Sequence, residues 1–293
     1  MQVFVTGASG LIGSAFVPEL LAAGHQVLAL ARSDASAAVL AERGVEVLRG
    51  DLGDLDVLRA GARAADAVVH LAFQHDFTDF AGAVAVDRAA IDTLGAALAG
   101  TGRPFTIASG TPAVPGRAAT EEDFPQVPPP LGGRMDNALA TLALADRGVR
   151  SSIVRLPRTV HADGGRGGFA GLLVRTARRT GVSGYVADGS ARWPAAHVGD
   201  VARLFLLALD VPAGTTLHAV GDEGVSVLDT ATAIGRGLDV PVQPVEAEAL
   251  GFLGQLATLD QPASSALTRE RFGWEPEGPS LLENLGAGNY VLD

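Results

Sequence analysis

The stretch QVFVTGASGLIG, residues 2–13, joins a strand-like apolar segment to a turn with three glycines and then to the start of a helix. Gly7 permits a tight bend, Gly10 lets the backbone approach a ligand, and Gly13 lets the helix pack closely against the strand. The free amide groups at the start of the helix then face the ligand, and phosphate suits them well. The stretch therefore predicts a turn that holds the pyrophosphate of a dinucleotide.

The end of the second predicted strand bears on which dinucleotide is bound. A carboxylate at this point would bind the ribose hydroxyls of NAD. The chain has Arg32 and Ser33 instead, which can pair with a 2′-phosphate and donate to it, although Asp34 follows and would repel that group. We therefore expect NADP as the cofactor, with NAD as the alternative. In the plainer interpretation, Arg32 is a solvated loop charge.

Short segments rich in valine and leucine alternate with helical patterns, several of which end at a glycine. This alternation is typical of a parallel sheet covered by helices on both faces. We therefore predict an α/β fold, with a doubly wound parallel-sheet domain of the Rossmann type and a smaller C-terminal α/β substrate lobe. The predicted boundaries are 1–160 plus about 194–222 for the dinucleotide-binding domain, and about 161–193 plus 223–293 for the lobe.

The composition excludes several kinds of chemistry. The 293 residues carry a formal net charge of −11, which argues against nucleic acid as a partner because phosphate backbones bind to basic surfaces. There is no cysteine and no lysine, so a thiolate nucleophile and a catalytic lysine are excluded. The six histidines show no metal-binding spacing, so no metal is expected. With no apolar run long enough to span a membrane and a strand at the start, we expect a cytoplasmic protein without a signal peptide.

Five segments carry a resemblance to one enzyme group. They are the glycine turn, Asp51-Leu52 after the third predicted strand, His70-Leu71-Ala72 after the fourth, residues 192–202 and residues 267–276. On these segments, nearly the whole chain resembles the extended and atypical short-chain dehydrogenases/reductases, which include nucleotide-sugar epimerases and dehydratases. The resemblance implies a small-molecule substrate and allows a homodimer. Together with the turn, it predicts these cofactor-binding residues: Gly7, Ser9, Gly10, Leu11, Ile12, Gly13, Arg32, Ser33, Asp51, Leu52, Leu71, Ala72, Phe73 and Ser109.

The chain departs from that group at the usual active site. The group has a Ser or Thr after the fifth strand and a Tyr-x-x-x-Lys pair on the next helix, where the tyrosine transfers a proton. Thr111 fits the first element as the catalytic hydroxyl, with Ser109 beside the cofactor. The second element is missing, because Arg134 takes the tyrosine position and Ala138 takes the lysine position.

A proton donor must therefore come from elsewhere in the chain. His75 lies just past the fourth predicted strand, and histidine titrates near neutral pH. Arg134 can polarise a carbonyl group or hold a carboxylate, but it is a poor acid. Tyr185 can reach the site from the smaller lobe, or it is simply a half-buried strand residue. Thr111, His75, Arg134 and Tyr185 are the predicted catalytic candidates.

Apolar and aromatic residues indicate the kind of substrate. The predicted substrate-contacting residues are Phe77, Pro112, His161 and Trp193, and an apolar, partly aromatic pocket suits a neutral carbonyl compound better than a sugar diphosphate. His161 is alternatively a helix-cap or surface histidine, and the aromatic residues alternatively fill the lobe interior.

Three functions are consistent with these observations. We favour an NADP(H)-dependent oxidoreductase that transfers a hydride to or from a small to medium carbonyl- or alcohol-type substrate and uses a nonstandard proton donor. The second hypothesis is an epimerase or dehydratase, which would need a strong base that the chain lacks. The third is a non-catalytic NADP-binding sensor, for which loss of the tyrosine and lysine would be expected.

Overall fold

The computed structural model describes residues 1–74, 79–126, 132–165, 168–288 and 290. The strands in chain order are β1 (Gln2–Thr6), β2 (Gln26–Ala31), β3 (Glu46–Arg49), β4 (Ala67–His70), β5 (Pro104–Gly110), β6 (Arg150–Leu156), β7 (Thr159–His161), β8 (Ser183–Tyr185), β9 (Arg192–His197), β10 (Thr215–His218), β11 (Asp222–Ser226) and β12 (Val242–Pro244). The helices are α1 (Leu11–Ala22), α2 (Asp34–Glu42), α3 (Leu55–Ala64), α4 (Phe80–Leu98), α5 (Gly133–Leu142), α6 (Gly168–Thr180), α7 (Val198–Leu207), α8 (Val227–Leu238), α9 (Phe252–Leu256), α10 (Ala266–Phe272) and α11 (Leu281–Gly286).

The larger sheet has seven strands in the order β10-β6-β5-β4-β1-β2-β3. Strand β1 pairs in parallel with both β2 and β4, so the chain winds outward in one direction from β1 to β3 and in the other from β4 onward. Ligands of such sheets bind at the carboxyl ends of the strands where this order reverses. The predicted doubly wound α/β fold is therefore confirmed, and its expected binding edge lies at the ends of β1 and β4.

Apolar residues of the inner strands and of the covering helices form the main core. Phe4 of β1 and Phe105 of β5 are fully buried in it, together with Leu58 of α3 and Leu94 of α4. A Cβ atom at Gly61 would lie 2.5 Å from the Phe4 ring, so the missing side chain lets α3 pack directly on the ring. This packing fixes β1, whose carboxyl end leads into the glycine turn.

The chain divides into two compact units. The first consists of residues 1–110, 126–155 and 202–217, and the second of residues 111–125, 156–201 and 218–293. The domain boundaries drawn from the sequence stay a prediction. The described helices include none that is both long enough and apolar enough to cross a membrane.

The second unit contains a three-stranded sheet in the order β11-β9-β7 and a two-stranded sheet of β8 and β12. The sequence pattern did not predict strands β7, β9, β11 and β12. Strand β9 carries Pro194 in its centre, and the pairing of β9 with β11 shifts register at this point, between Asp222 and Val225 of β11. A bulge in the partner strand accommodates a proline, which cannot donate a ladder hydrogen bond.

Candidate functional site

The glycine turn between β1 and α1 has the close approaches that the sequence predicts. Gly7 adopts a positive φ of 74°, and a Cβ atom there would lie 2.7 Å from the amide nitrogen of Ala72. A Cβ atom at Gly13 would overlap the carbonyl oxygen of Gly7. The amide of Gly10 donates to that same oxygen at 3.0 Å, which closes the turn. Side chains are therefore excluded at Gly7 and Gly13.

Helix α1 begins without a side-chain cap. Its N-cap residue is Gly10, which has no side chain to accept hydrogen bonds from the first turn, and Ser9 makes no cap. Ser9 and Gly10 are exposed, and Leu11 and Ile12 are half-buried. Uncapped amides at a helix start carry a partial positive charge and bind anions. The predicted pyrophosphate-binding residues are thus grouped around a suitable set of donors.

Arg32 and Ser33 follow β2 and are exposed. The Ser33 hydroxyl accepts from the amide of Ser36 at 3.1 Å, so it caps α2. Arg49, which was not predicted from the sequence, donates to Asp34 at 2.8 Å. The carboxylate that would repel a 2′-phosphate beside Arg32 is therefore paired with a second arginine.

Asp51 and Leu52 follow β3, as the resemblance implies. Leu52 is buried, and its neighbour Asp51 is exposed and accepts from the amide of Gly53 at 2.7 Å. This hydrogen bond orders the loop that leads into α3.

A buried polar chain connects the ends of β1 and β4 to helices α4 and α5. The His70 ring bonds to the Thr6 hydroxyl at 2.7 Å and to Asp87 at 3.1 Å. Asn137 donates to the other oxygen of Asp87 at 2.8 Å, and the amide of Ala72 donates to Thr6 at 3.2 Å. Asp87 and Asn137 were not predicted from the sequence.

These bonds are mutually consistent with one ring tautomer. With Asp87 ionised, Nε2 of His70 donates to the carboxylate and Nδ1 accepts from Thr6. Burial raises the pKa of Asp87, but the hydrogen bond from His70, the charge of Arg134 and the hydrogen bond from Asn137 together hold it below its ordinary value. The buried polar chain therefore places the negative charge of Asp87 beneath the end of β4.

Arg134, which the sequence places at the usual tyrosine position only through the resemblance, lies in the first turn of α5. Its guanidinium donates to the carbonyl oxygen of Ala108 in β5 at 2.8 Å and lies 4.1 Å from the ring centroid of Phe73. Burial lowers the pKa of Arg134, and the charge of Asp87 partly offsets that effect. Arg134 and Phe73 thus meet near the carboxyl ends of β4 and β5, where Leu71 is half-buried and Ser109 is buried.

Thr111 belongs to the second unit and is buried together with Pro112. Its amide donates to Leu156 at 2.9 Å, and its carbonyl oxygen accepts from the side chain of Gln261 at 2.5 Å. Its hydroxyl finds no hydrogen-bond partner among the described residues. Gln261 also accepts from Arg158, a second contact that the sequence did not indicate.

His161 is buried in β7, and neither ring nitrogen has a hydrogen-bond partner within the described part of the chain. Burial, together with the nearby charge of His197, lowers its pKa to about 4, against smaller opposing effects of Asp200 and Asp163. The rings of His161 and His197 meet edge to face with centroids 5.5 Å apart. His161 is therefore a neutral buried ring near pH 7.

Trp193 and Tyr185 both lie in the second unit. Trp193 is buried, and Tyr185 is half-buried against the same apolar cluster. The ring of Phe169 lies 6.2 Å from that of Trp193. This placement fits the plainer interpretation of Tyr185 as a packed strand residue. Two other predicted residues, His75 and Phe77, lie outside the described residues.

Within the described ranges, no three His, Cys, Asp or Glu side chains come together in a way that could hold a metal ion. Among the described groups, the start of α1 offers amides for an anion, and Arg134 and Thr111 offer hydrogen-bond donors.

Comparison with known proteins gives the family. The family model described as "NAD dependent epimerase/dehydratase family" matches residues 3–129. An uncharacterized protein of Schizosaccharomyces pombe is 41% identical, with 99% of this chain and 100% of that protein aligned. A 3-diazoavenalumate denitrifying reductase of a Streptomyces species is 28% identical over 98% of this chain and 99% of the enzyme.

Solved structures show the same fold. The UDP-glucose 4-epimerase of Thermotoga maritima with UDP-glucose superposes with a TM-score of 0.80 at 19% identity, covering 99% of this chain and 97% of the other. The UDP-glucose 4-epimerase of Thermus thermophilus in complex with NAD gives 0.75 at 22% identity, covering 98% and 97%. The full-length relatives, the family model and the doubly wound sheet agree with the motifs in the sequence. The chain therefore belongs to the NAD-dependent epimerase/dehydratase family, an enzyme family of the extended short-chain dehydrogenase/reductase kind.

Proposed function

We propose that the chain is an NADP(H)-dependent oxidoreductase acting on a small to medium, largely apolar carbonyl- or alcohol-type substrate. The glycine turn supports a dinucleotide, since Gly7 and Gly13 leave no room for side chains and the start of α1 is uncapped. The Thermus thermophilus epimerase was solved in complex with NAD, and the Streptomyces relative is named as a reductase. When bound, the cofactor supplies or accepts the hydride.

The chemistry of Arg134 is the basis for choosing between the candidate reactions. An epimerase or dehydratase cycle begins with removal of a proton from the substrate, which needs a base. Arginine is a hydrogen-bond donor without acceptor capacity, so it can polarise a carbonyl oxygen but cannot take up that proton. Its contacts with Ala108 and Phe73 hold the guanidinium at the end of β5. Reduction of a carbonyl group needs such a donor, since negative charge develops on the oxygen.

Thr111 stays the hydroxyl that we propose for the substrate oxygen on the sequence resemblance. Its backbone is fixed at both polar atoms, by Leu156 and by Gln261, while its hydroxyl has no partner among the described residues. A fixed residue with an unused hydroxyl is suited to orienting a ligand oxygen. His75 stays the proposed proton source on sequence grounds, with water as the alternative.

The proposal is tested by mixing the protein with NADPH and a panel of aromatic and aliphatic aldehydes and ketones. We expect one alcohol for each NADPH consumed. Arg134→Met should lower kcat by about 100-fold, the usual loss for one donor to a developing oxyanion. Arg88→Met removes an exposed arginine of α4 that pairs with Asp92, and should leave kcat unchanged. Tight cofactor binding without turnover of any carbonyl compound would contradict the proposal and favour the sensor.

An epimerase or dehydratase is the second candidate, favoured by the family model and by the UDP-glucose in the Thermotoga maritima structure. It is distinguished by its stoichiometry, because the hydride leaves and returns within one turnover. Conversion of UDP-glucose with only a catalytic amount of NAD, followed by NMR, would establish it and displace the reductase.

A further inference from the structure

Arg158, just after β6, is a half-buried cation in the second unit that no described carboxylate neutralises. Its Nη2 donates to the side-chain oxygen of Gln261, and its Nε has no partner among the described residues. Arg192 of the same unit differs, because it pairs with Asp260 at 2.8 Å. Burial lowers the pKa of Arg158 to about 10. A desolvated charge without a counter-ion is costly, and a ligand anion would offset that cost.

Trp193 provides a second unused donor beside this cation. The guanidinium carbon of Arg158 lies 5.3 Å from the centroid of the Trp193 ring, within the range of a cation–π contact. The indole of Trp193 is buried, and its N–H has no hydrogen-bond partner in the described part of the chain. Buried indole N–H groups usually find an acceptor. Each of these two neighbouring side chains therefore has a donor that no described residue uses.

Gln261 connects this pair to Thr111. Its amide oxygen accepts from Arg158, and its amide nitrogen donates to the carbonyl oxygen of Thr111 at 2.5 Å. One side chain thus spans the space between the guanidinium and the backbone of the residue assigned to the substrate oxygen.

We propose that Arg158 and the indole N–H of Trp193 bind a carboxylate of the substrate, so that the substrate class is carbonyl compounds that also carry a carboxylic acid group. Only the carbonyl part of this assignment rests on the proposed function. A planar carboxylate matches the fork of the guanidinium, and one arginine balances its single charge. The more highly charged phosphate is less well matched by one arginine.

The carboxylate site is tested on the full chain by titration with benzoate, benzamide and inorganic phosphate, with the Trp193 indole N–H followed by NMR. Trp274→Phe assigns the two indole signals, since the chain has two tryptophans. Benzoate should shift the Trp193 signal and bind about 10- to 100-fold more tightly than its neutral amide, as expected for a charge-assisted bond. Equal affinities would overturn the proposal, and tighter binding of phosphate would overturn the choice of carboxylate.

Turnover separates this proposal from the proposed function. Arg158→Met should raise KM for 4-carboxybenzaldehyde by about 10- to 100-fold and leave KM for 4-formylbenzamide unchanged. Arg192→Met, a change at the paired arginine next to Trp193, should alter neither. If the preference for the acid survives Arg158→Met, the assignment is wrong. If benzoate binds at Trp193 but no carbonyl compound is reduced, the carboxylate site stands and the proposed reductase falls. The wild-type preference for benzoate remains decisive if the variant does not fold.

Discussion

At the residue scale, the two arginines near the end of β2, Arg32 and Arg49, have different roles. Arg49 pairs with Asp34, which leaves the exposed Arg32 free to meet an added phosphate. Arg32→Ala should therefore weaken NADPH binding by about 10- to 100-fold, the worth of a charge-assisted bond, and leave NADH binding nearly unchanged. Kd values for both cofactors, measured by fluorescence titration, check this prediction.

Arg59→Ala is the matched control, because Arg59 is a half-buried arginine of α3 that pairs with Asp56 on the same helix. It should leave both Kd values unchanged. A parallel loss of NADH and NADPH affinity in Arg32→Ala would mean that Arg32 supports the fold of the turn and does not select the cofactor.

At the element scale, the buried polar chain ties two strand ends to two helices. Asp87 of α4 accepts from His70 of β4 and from Asn137 of α5. Asp87→Asn places an amide donor against the amide of Asn137 and removes the charge that faces Arg134. We expect a loss of about 3 kcal/mol in the free energy of unfolding, as when one partner of a buried charged pair is removed. Urea denaturation at pH 7 measures it.

The control for that change is Asp92→Asn on the same helix, where the carboxylate is exposed and pairs with Arg88. Surface pairs contribute little, so the loss should stay below about 0.5 kcal/mol. Because the pKa of Asp87 is lowered in the folded state, its stabilisation is full above pH 4 to 5 and is lost as the pH falls further. An Asp87→Asn deficit that stays constant down to pH 2 would contradict this account.

At the same scale, the packing of each strand decides whether it could be predicted from the sequence. The alternation of strands and helices was predictable from the sequence, because buried parallel strands are apolar runs and several helices end at glycines. Strands β7 and β9 were missed, because β7 has three residues and Pro194 of β9 is tolerated through a bulge in β11. The local sequence of a strand does not indicate a bulge in the strand that it pairs with.

The candidate site divides in the same way. Gly7 and Gly13 were predictable, since their constraint lies within one turn of chain. The pairing of Asp87 with Asn137, 50 residues apart, and that of Arg158 with Gln261, 103 residues apart, follow from tertiary packing. An acidic residue inside an apolar helix was the available signal for Asp87.

At the scale of the whole molecule, stability toward acid depends on a histidine that burial keeps neutral. The unfolded His161 titrates at an ordinary pKa of about 6.5, whereas the folded residue does so at about 4. Between these values the unfolded state binds more protons, so the free energy of unfolding falls as the pH falls. At pH 5 the expected loss relative to pH 7.5 is about 2 kcal/mol from this residue alone.

His161→Phe keeps an aromatic ring against His197 and removes the titrating group. Urea denaturation at pH 7.5 gives the cost of the substitution itself, because His161 is neutral in both states there. On going to pH 5, wild type should lose about 2 kcal/mol more of its free energy of unfolding than the variant. Equal losses would mean that the folded protein accommodates a proton on His161, since only then does the residue cease to favour the unfolded chain in acid.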